Sequence, residues 1–271
     1  ALNRRLAGET YIGVVALGRR GSELRLECDT RPVDWLVKMH RLPDDATLEN
    51  QLPRIDVGDV RLQGLMQTLC GFYARAVPAP WTAADYAARL KQQARRNAKG
   101  FRQAELRPQR AAIRRIAEAH CGFVDSHTEL LSQRIRQGRI RDAHGDLRPE
   151  HVFLNEHPQI IDCLEFSSDL RQLDTAEEVV FLTLECERLG RADVALRLLE
   201  LYRETCADAV PDALVDFYRS RRAFVRAYVS AWHLGDDLDQ AAKGKWIAQT
   251  TWYLEAAATS LTRARAEPGA D

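Results

Sequence analysis

The chain has 271 residues, of which 45% are hydrophobic and 29% charged. That length buries a core without disulfide or metal staples, and the composition excludes collagenous, disordered and membrane-protein classes. Basic and acidic residues both number 39, and the zero net charge argues against a general nucleic-acid binder.

The balance hides an asymmetry. Residues 1–150 carry 26 basic and 18 acidic residues (+8), and residues 151–271 carry 13 and 21 (−8). One half could attract anions and the other cations, or both could be ordinary solvated surfaces. Only five of the basic residues are lysine, and Lys38 alone precedes position 91. The six cysteines (Cys28, Cys70, Cys121, Cys163, Cys186, Cys206) form no CxxC pair, so reduced, mostly buried thiols in a cytoplasmic protein are expected. No HExxH or paired Cys/His spacing points to zinc. No apolar run is long enough to span a bilayer.

In chain order, LNRRLAGE reads as the last turn of a helix. Thr10–Leu17 is β-branched and apolar, Glu23–Cys28 alternates, and Val33–Met39 is a third strand. Leu42-Pro43-Asp44-Asp45 breaks the pattern and can cap a helix. Helical spacing follows over Val60–Ala76, Trp81–Lys99 and Pro108–Gln137. Between Lys91 and Arg115 lie nine basic residues and one acid, Glu105, which fits a solvated helix face better than a nucleic-acid contact. Residues 139–166 alternate short strands and turns, with Asn155–Pro158 as a hairpin turn. Helices are then expected over 175–189, 192–206, 211–234 and 245–266, with a polar tail at 267–271. A few strands followed by a helix-rich body indicate an α+β protein with two lobes.

The chemistry concentrates in His144–Phe166. HGDLRPEHV is followed, eleven residues beyond His151, by Asp162 in IIDCLEF. This frame resembles the catalytic and metal-binding loops of protein-kinase-like phosphotransferases, particularly the aminoglycoside phosphotransferase family. HGDLRPEH looks like the form found in a branch of that family whose members are sometimes fused to a P-loop ATPase domain. No GxxxxGK[ST] occurs in this chain.

The resemblance implies an ATP- (or GTP-) and Mg²⁺-dependent transfer of the γ-phosphate to a small-molecule hydroxyl. Phosphoryl transfer needs a carboxylate to orient the acceptor hydroxyl, metal ligands on the phosphates and a cation near the developing charge. By resemblance, Asp146 is the base, Arg148 the cation and Asp162 the metal ligand. His144 is structural, and Asp174 and Glu178 tie the loop to the next helix. His151 stands where an Asn metal ligand is expected, and Glu165 is a candidate substitute.

A kinase-like fold also implies a phosphate-covering loop, a strand lysine and a helix glutamate. Lys38 matches that lysine poorly: two strands precede it, and His40-Arg41-Leu42-Pro43 follows where the helix should begin. Glu49 would be its partner if it served. The better fit makes residues 1–42 a partial N-lobe, with Lys38, Met39, His40 and Arg41 at the nucleotide hinge. Residues 43–266 are then the helical C-lobe, and the missing parts lie before Ala1. A pseudokinase or nucleotide-binding regulatory module without turnover is the alternative. Asp236 and Asp237, after a helix containing Trp232, could suit a cationic acceptor.

Overall fold

The computed structural model describes residues 2–27 and 32–266. Cys28 and the tail at 267–271 lie outside the described residues. The opening segment is a single 3-10 turn, Asn3–Arg5. Three antiparallel strands follow: β1 (Tyr11–Arg20), β2 (Glu23–Leu26) and β3 (Pro32–Met39), in the order β2-β1-β3. Gly21, at φ +66°, makes the β1–β2 turn, a backbone region open to glycine without steric penalty. In the β1–β3 register Val14 faces Val37 and Ala16 faces Trp35. The sheet lies outside the main core: Val14, Val37 and Trp35 are all exposed.

Beyond the sheet, Thr47 caps α1 (Leu48–Gln51) by accepting the Asn50 amide. Next come α2 (Val60–Arg75), α3 (Ala83–Gly100), α4 (Arg110–Ser126) and α5 (Thr128–Arg136). The single helix expected over Pro108–Gln137 is interrupted. Residues 104–109 are a 3-10 segment. His127 leaves helical geometry, with its ring stacked on Phe123 at 3.9 Å and Nδ1 on the Phe123 carbonyl. The His127 amide also donates to that carbonyl at 2.9 Å, so one oxygen takes both bonds where α4 ends.

Strand β4 (Ile140–Asp142) leads into the loop of interest. Strands β5 (Val152–Phe153) and β6 (Gln159–Ile160) form the expected hairpin, with Val152 opposite Ile160. A short helix, α6 (Ser168–Arg171), and strand β7 (Gln172–Asp174) follow, and β7 pairs antiparallel with β4. Neither was legible in the sequence, because four and three residues carry too little periodicity. The body is completed by α7 (Thr175–Arg188), α8 (Ala192–Thr205), α9 (Asp212–Trp232) and α10 (Gln240–Ala266).

Two apolar clusters hold this body together. One gathers α2, α7 and α8 around residues such as Leu65, Leu69, Val179 and Leu198. The other packs α4, α9 and α10 around Ile113, Phe224 and Tyr253. The expectation of six reduced thiols is corrected: Cys70 of α2 and Cys206, just past α8, form a disulfide across 136 residues. Packing of α2 against α8 sets their Cα atoms 5.4 Å apart, a proximity that sequence spacing does not encode.

A buried charge network fixes the start of α7. Arg134 on α5 donates to both oxygens of Asp174 (2.7 and 2.8 Å) and both of Asp208 (2.6 and 2.7 Å). Tyr218 adds a hydroxyl to Asp174, and Tyr202 one to Asp208. Asp174 also caps α7 through the Ala176 amide. Removing the cation strands two buried carboxylates. Arg134→Met should therefore destabilise the fold by about 3–5 kcal/mol, read from urea unfolding.

Candidate active site

The stretch from His144 to Asp162 forms one loop–hairpin–loop unit. Its first turn depends on Glu178, a fully buried carboxylate in the first turn of α7. Glu178 Oε1 accepts the His144 amide at 2.9 Å and the Gly145 amide at 2.6 Å, while Oε2 accepts the Tyr73 hydroxyl. Burial pushes the Glu178 carboxyl up, although the bonds from Gly145, Tyr73 and His144 pull the other way. Gly145 adopts φ +90°, and an added Cβ would sit 3.1 Å from both Arg171 Cγ and Leu164 Cβ. Only glycine fits this close approach at that backbone angle.

His144 is buried and spans the two sides of the loop. Its Nε2 bonds the Ile161 carbonyl at 2.8 Å, and its Nδ1 faces the Asp146 amide at 3.3 Å. The donor to Ile161 must therefore be Nε2–H, leaving Nδ1 as the acceptor. Burial drives the His144 pKa down to about 4, so the ring is neutral at neutral pH.

This scaffold brings Asp146, Arg148, His151 and Asp162 together. Arg148 Nε donates to Asp146 Oδ2 at 3.1 Å, and its Nη1 pairs with Glu150 at 2.5 Å. Among the described residues Asp146 Oδ1 carries no hydrogen bond. His151 Nδ1 bonds the Asp146 carbonyl at 2.9 Å, which leaves Nε2 as an acceptor in the neutral ring. That nitrogen receives Arg148 Nη2 at 3.1 Å and lies 3.3 Å from Asp162 Oδ2.

Asp162 is 71% exposed and adopts φ +61°, a left-handed conformation that Asp tolerates better than most residues. Its amide donates to the Tyr11 hydroxyl at 3.1 Å. No cluster of three or more His, Cys, Asp or Glu poised to hold a metal occurs among the described residues. The donor set still suits a cation that takes its other ligands from phosphate and water. An exposed carboxylate stands beside an imidazole nitrogen whose ring partner is tied to a carbonyl.

The remaining sequence candidates fall elsewhere. Glu165 accepts from Asn3 Nδ2 at 2.7 Å, which turns it toward the N-terminal turn. Asn3 also accepts the Cys163 amide at 2.6 Å. Asp174 serves the Arg134 network, so the tie to the loop comes from Glu178 alone. Lys38 and Met39 end β3, the His40 amide is bonded to the Thr10 carbonyl, and Arg41 pairs with Asp44. Lys38 pairs with Glu27 at 2.6 Å. Asp236 faces His233 at 3.3 Å, and Asp237 is exposed in the loop between α9 and α10. Trp232 has basic rather than acidic neighbours, as described below.

Sequence reasoning missed the anchors supplied from the chain's beginning. Arg5 reaches the Asp142 and Ala143 carbonyls at 3.0 and 2.9 Å, and Tyr11 and Asn3 hold the far side of the loop. Contacts across some 140–160 residues leave no local signal. Arg222 of α9 lies 3.5 Å from the Gly145 carbonyl.

No protein-family model matches the chain. Uncharacterised proteins of Mycobacterium tuberculosis and Mycobacterium bovis are 30% identical to it over 277 residues, covering 99% of this chain and 53% of theirs. The chain thus spans about half the length of the curated relatives it matches. Among solved structures, a glucosamine kinase in complex with glucosamine, ADP and inorganic phosphate superposes with a TM-score of 0.58. That match has 16% identity and covers 90% of this chain and 68% of that one. A second crystal form of glucosamine kinase gives 0.56, also at 16% identity, over 81% and 59%. The chain has the fold of these kinase-like phosphotransferases. Among the described residues no helix is long and apolar enough to cross a membrane.

Two outcomes test this architecture. Glu178→Ala leaves two buried amides without an acceptor and should lower stability by about 3 kcal/mol or more in urea unfolding. Glu178→Gln keeps one carbonyl oxygen for them and should lose about 1 kcal/mol. The second outcome concerns pH. His144 is held at about 4, and burial holds His120, bonded to Ser220 Oγ at 2.8 Å, at about 3. The unfolded chain gains protons at these histidines near pH 6.5. Their contribution is therefore complete above that pH and lost progressively as pH falls through about 4. The melting temperature should drop between pH 6.5 and 4, and His120→Gln should flatten the drop.

Proposed function

We propose that this chain is the catalytic part of a kinase-like phosphotransferase of the aminoglycoside phosphotransferase type. It would transfer the γ-phosphate of ATP (or GTP) to a hydroxyl of a small molecule. The observation that carries this is the convergence of Asp146, Arg148 and His151 with Asp162 of the loop beyond the hairpin, with Asp146 Oδ1 left open. The likeness in fold to glucosamine kinases supports the class of reaction. Residues 1–42 would form the rear of the nucleotide-covering lobe and 43–266 the helical lobe.

Asp146 Oδ1 would accept the hydrogen bond of the acceptor hydroxyl and take its proton as the oxygen attacks the γ-phosphorus. The new bond joins that oxygen to phosphorus, the bond to the bridging β-phosphate oxygen breaks, and the nucleoside diphosphate leaves. Arg148 would hold Asp146 in place through Oδ2 and present positive charge toward the transferring group. Asp162, with His151 beside it, would hold Mg²⁺, which supplies neutralisation of the phosphate charge. The Tyr11 hydroxyl and Asn3 would keep the Asp162 turn in place.

A nucleotide-binding module without turnover is the alternative. It is favoured by the engagement of Arg148 with Asp146, Glu150 and His151, and by imidazole where an amide ligand is expected. Radiolabelled γ-phosphate transfer by the full-length protein, with Mg²⁺ and a panel of hydroxylated small molecules, decides between them. Transfer that falls at least about a hundredfold in Asp146→Ala, with an unchanged melting temperature, is the expected result. MgATP binding with no transfer to any acceptor would establish the alternative.

A further inference from the structure

A cavity of about 670 Å³ opens between the C-terminal ends of α3 and α9. Arg95, Arg96, Lys99 and Arg102 line one side, and Tyr228 and Trp232 the other. Among the described residues no carboxylate lines it, and none of the four cations makes an ion pair. Exposed arginines elsewhere, such as Arg25, Arg114 and Arg136, do pair with acids. Arg102 reaches only the Lys99 carbonyl, at a long 3.4 Å.

The aromatic wall is built. Tyr228 and Trp232 are one helical turn apart, with ring centroids 5.5 Å from each other. Tyr228 packs edge-on to Phe101 and against Gly100, where an added Cβ would overlap its ring. Gly100 thus admits the Tyr228 ring at the floor. Trp232 is 63% exposed, so a large indole face stands open beside the cations. Arg222, near Gly145, precedes Trp232 by ten residues, about 15 Å along α9. The cavity shares no lining residue with the loop that carries Asp146.

We infer that this cavity binds a small phosphorylated molecule carrying a flat ring. The guanidinium groups match phosphate oxygens in geometry and charge. The four like charges repel one another, and an anion relieves that repulsion. The exposed indole offers a stacking face for the ring. A concave site of this volume suits a small molecule better than an extended strand. The inference does not depend on phosphotransfer at Asp146.

Calorimetric titration of the full-length protein with flavin mononucleotide, riboflavin and inorganic pyrophosphate tests it. Flavin mononucleotide should bind at least tenfold more tightly than riboflavin. Arg96→Gln combined with Lys99→Gln should weaken both flavin mononucleotide and pyrophosphate tenfold or more. Trp232→Ala should weaken the flavin nucleotide and leave pyrophosphate unchanged. Asp162→Asn, at the other site, should change neither. The inference is overturned if neither phosphorylated probe binds at millimolar concentration, or if binding survives the double substitution. It is equally overturned if Asp162→Asn abolishes binding, or if a single-stranded oligonucleotide binds more tightly and ignores Trp232→Ala. Thermal melts of each variant separate loss of binding from loss of fold.

Discussion

One buried carboxylate organises the candidate site. Glu178 takes the His144 and Gly145 amides on a single oxygen, so the turn carrying Asp146 is bonded to the first turn of α7. Backbone amides in such a turn have no neighbours in a ladder and must find an acceptor or remain unpaired at considerable free energy. With that acceptor in place, Gly145 can adopt its positive φ and Asp146 projects outward. His144 then bridges to Ile161, so the two loops that carry Asp146 and Asp162 share one rigid base.

The position of Glu178 is itself set from below. Asp174 caps α7 and is held by Arg134, which also grips Asp208. This links α5, β7, α7 and the segment after α8 through one guanidinium. Higher on α7, Glu177 is paired with Arg221 and Arg222 of α9. Burial works to raise the Glu177 pKa, but Arg221, Arg222 and Arg89 outweigh it and keep the group below the usual carboxylate range. Glu185, two turns on, meets Arg188 and Arg226. The prevalence of arginine over lysine thus has a structural meaning. Planar guanidinium groups satisfy buried carboxylates with several directed bonds, which an ammonium does less well.

The charge asymmetry between the two halves also resolves into particular residues. Much of the positive excess of the first half lies between Lys91 and Arg115, and Arg95, Arg96, Lys99 and Arg102 of that stretch line the cavity beside Trp232. Many acids of the second half are internal, spent on arginines of their own half, rather than displayed toward a cation. Asp236 and Asp237 are exposed, yet the aromatic residue next to them in sequence faces a basic surface.

By itself the sequence determined the α+β class, the three N-terminal strands and the hairpin between β5 and β6. It also determined the frame from His144 to Asp162, because strand alternation, turn residues and motif spacing are local properties. It located Glu178 one turn beyond Asp174, although it assigned both to the loop when only Glu178 serves it. The break between α4 and α5 is not legible in the sequence because the amphipathic pattern continues through His127, where the backbone leaves helical geometry. Only the tertiary structure decided the Cys70–Cys206 disulfide, the pairing of Lys38 with Glu27, and the anchoring of the loop by Asn3, Arg5 and Tyr11. Each joins residues through packing in space, and the anchors and the disulfide do so across more than a hundred residues. No periodicity along the chain records which distant side chain will arrive to satisfy a buried polar group.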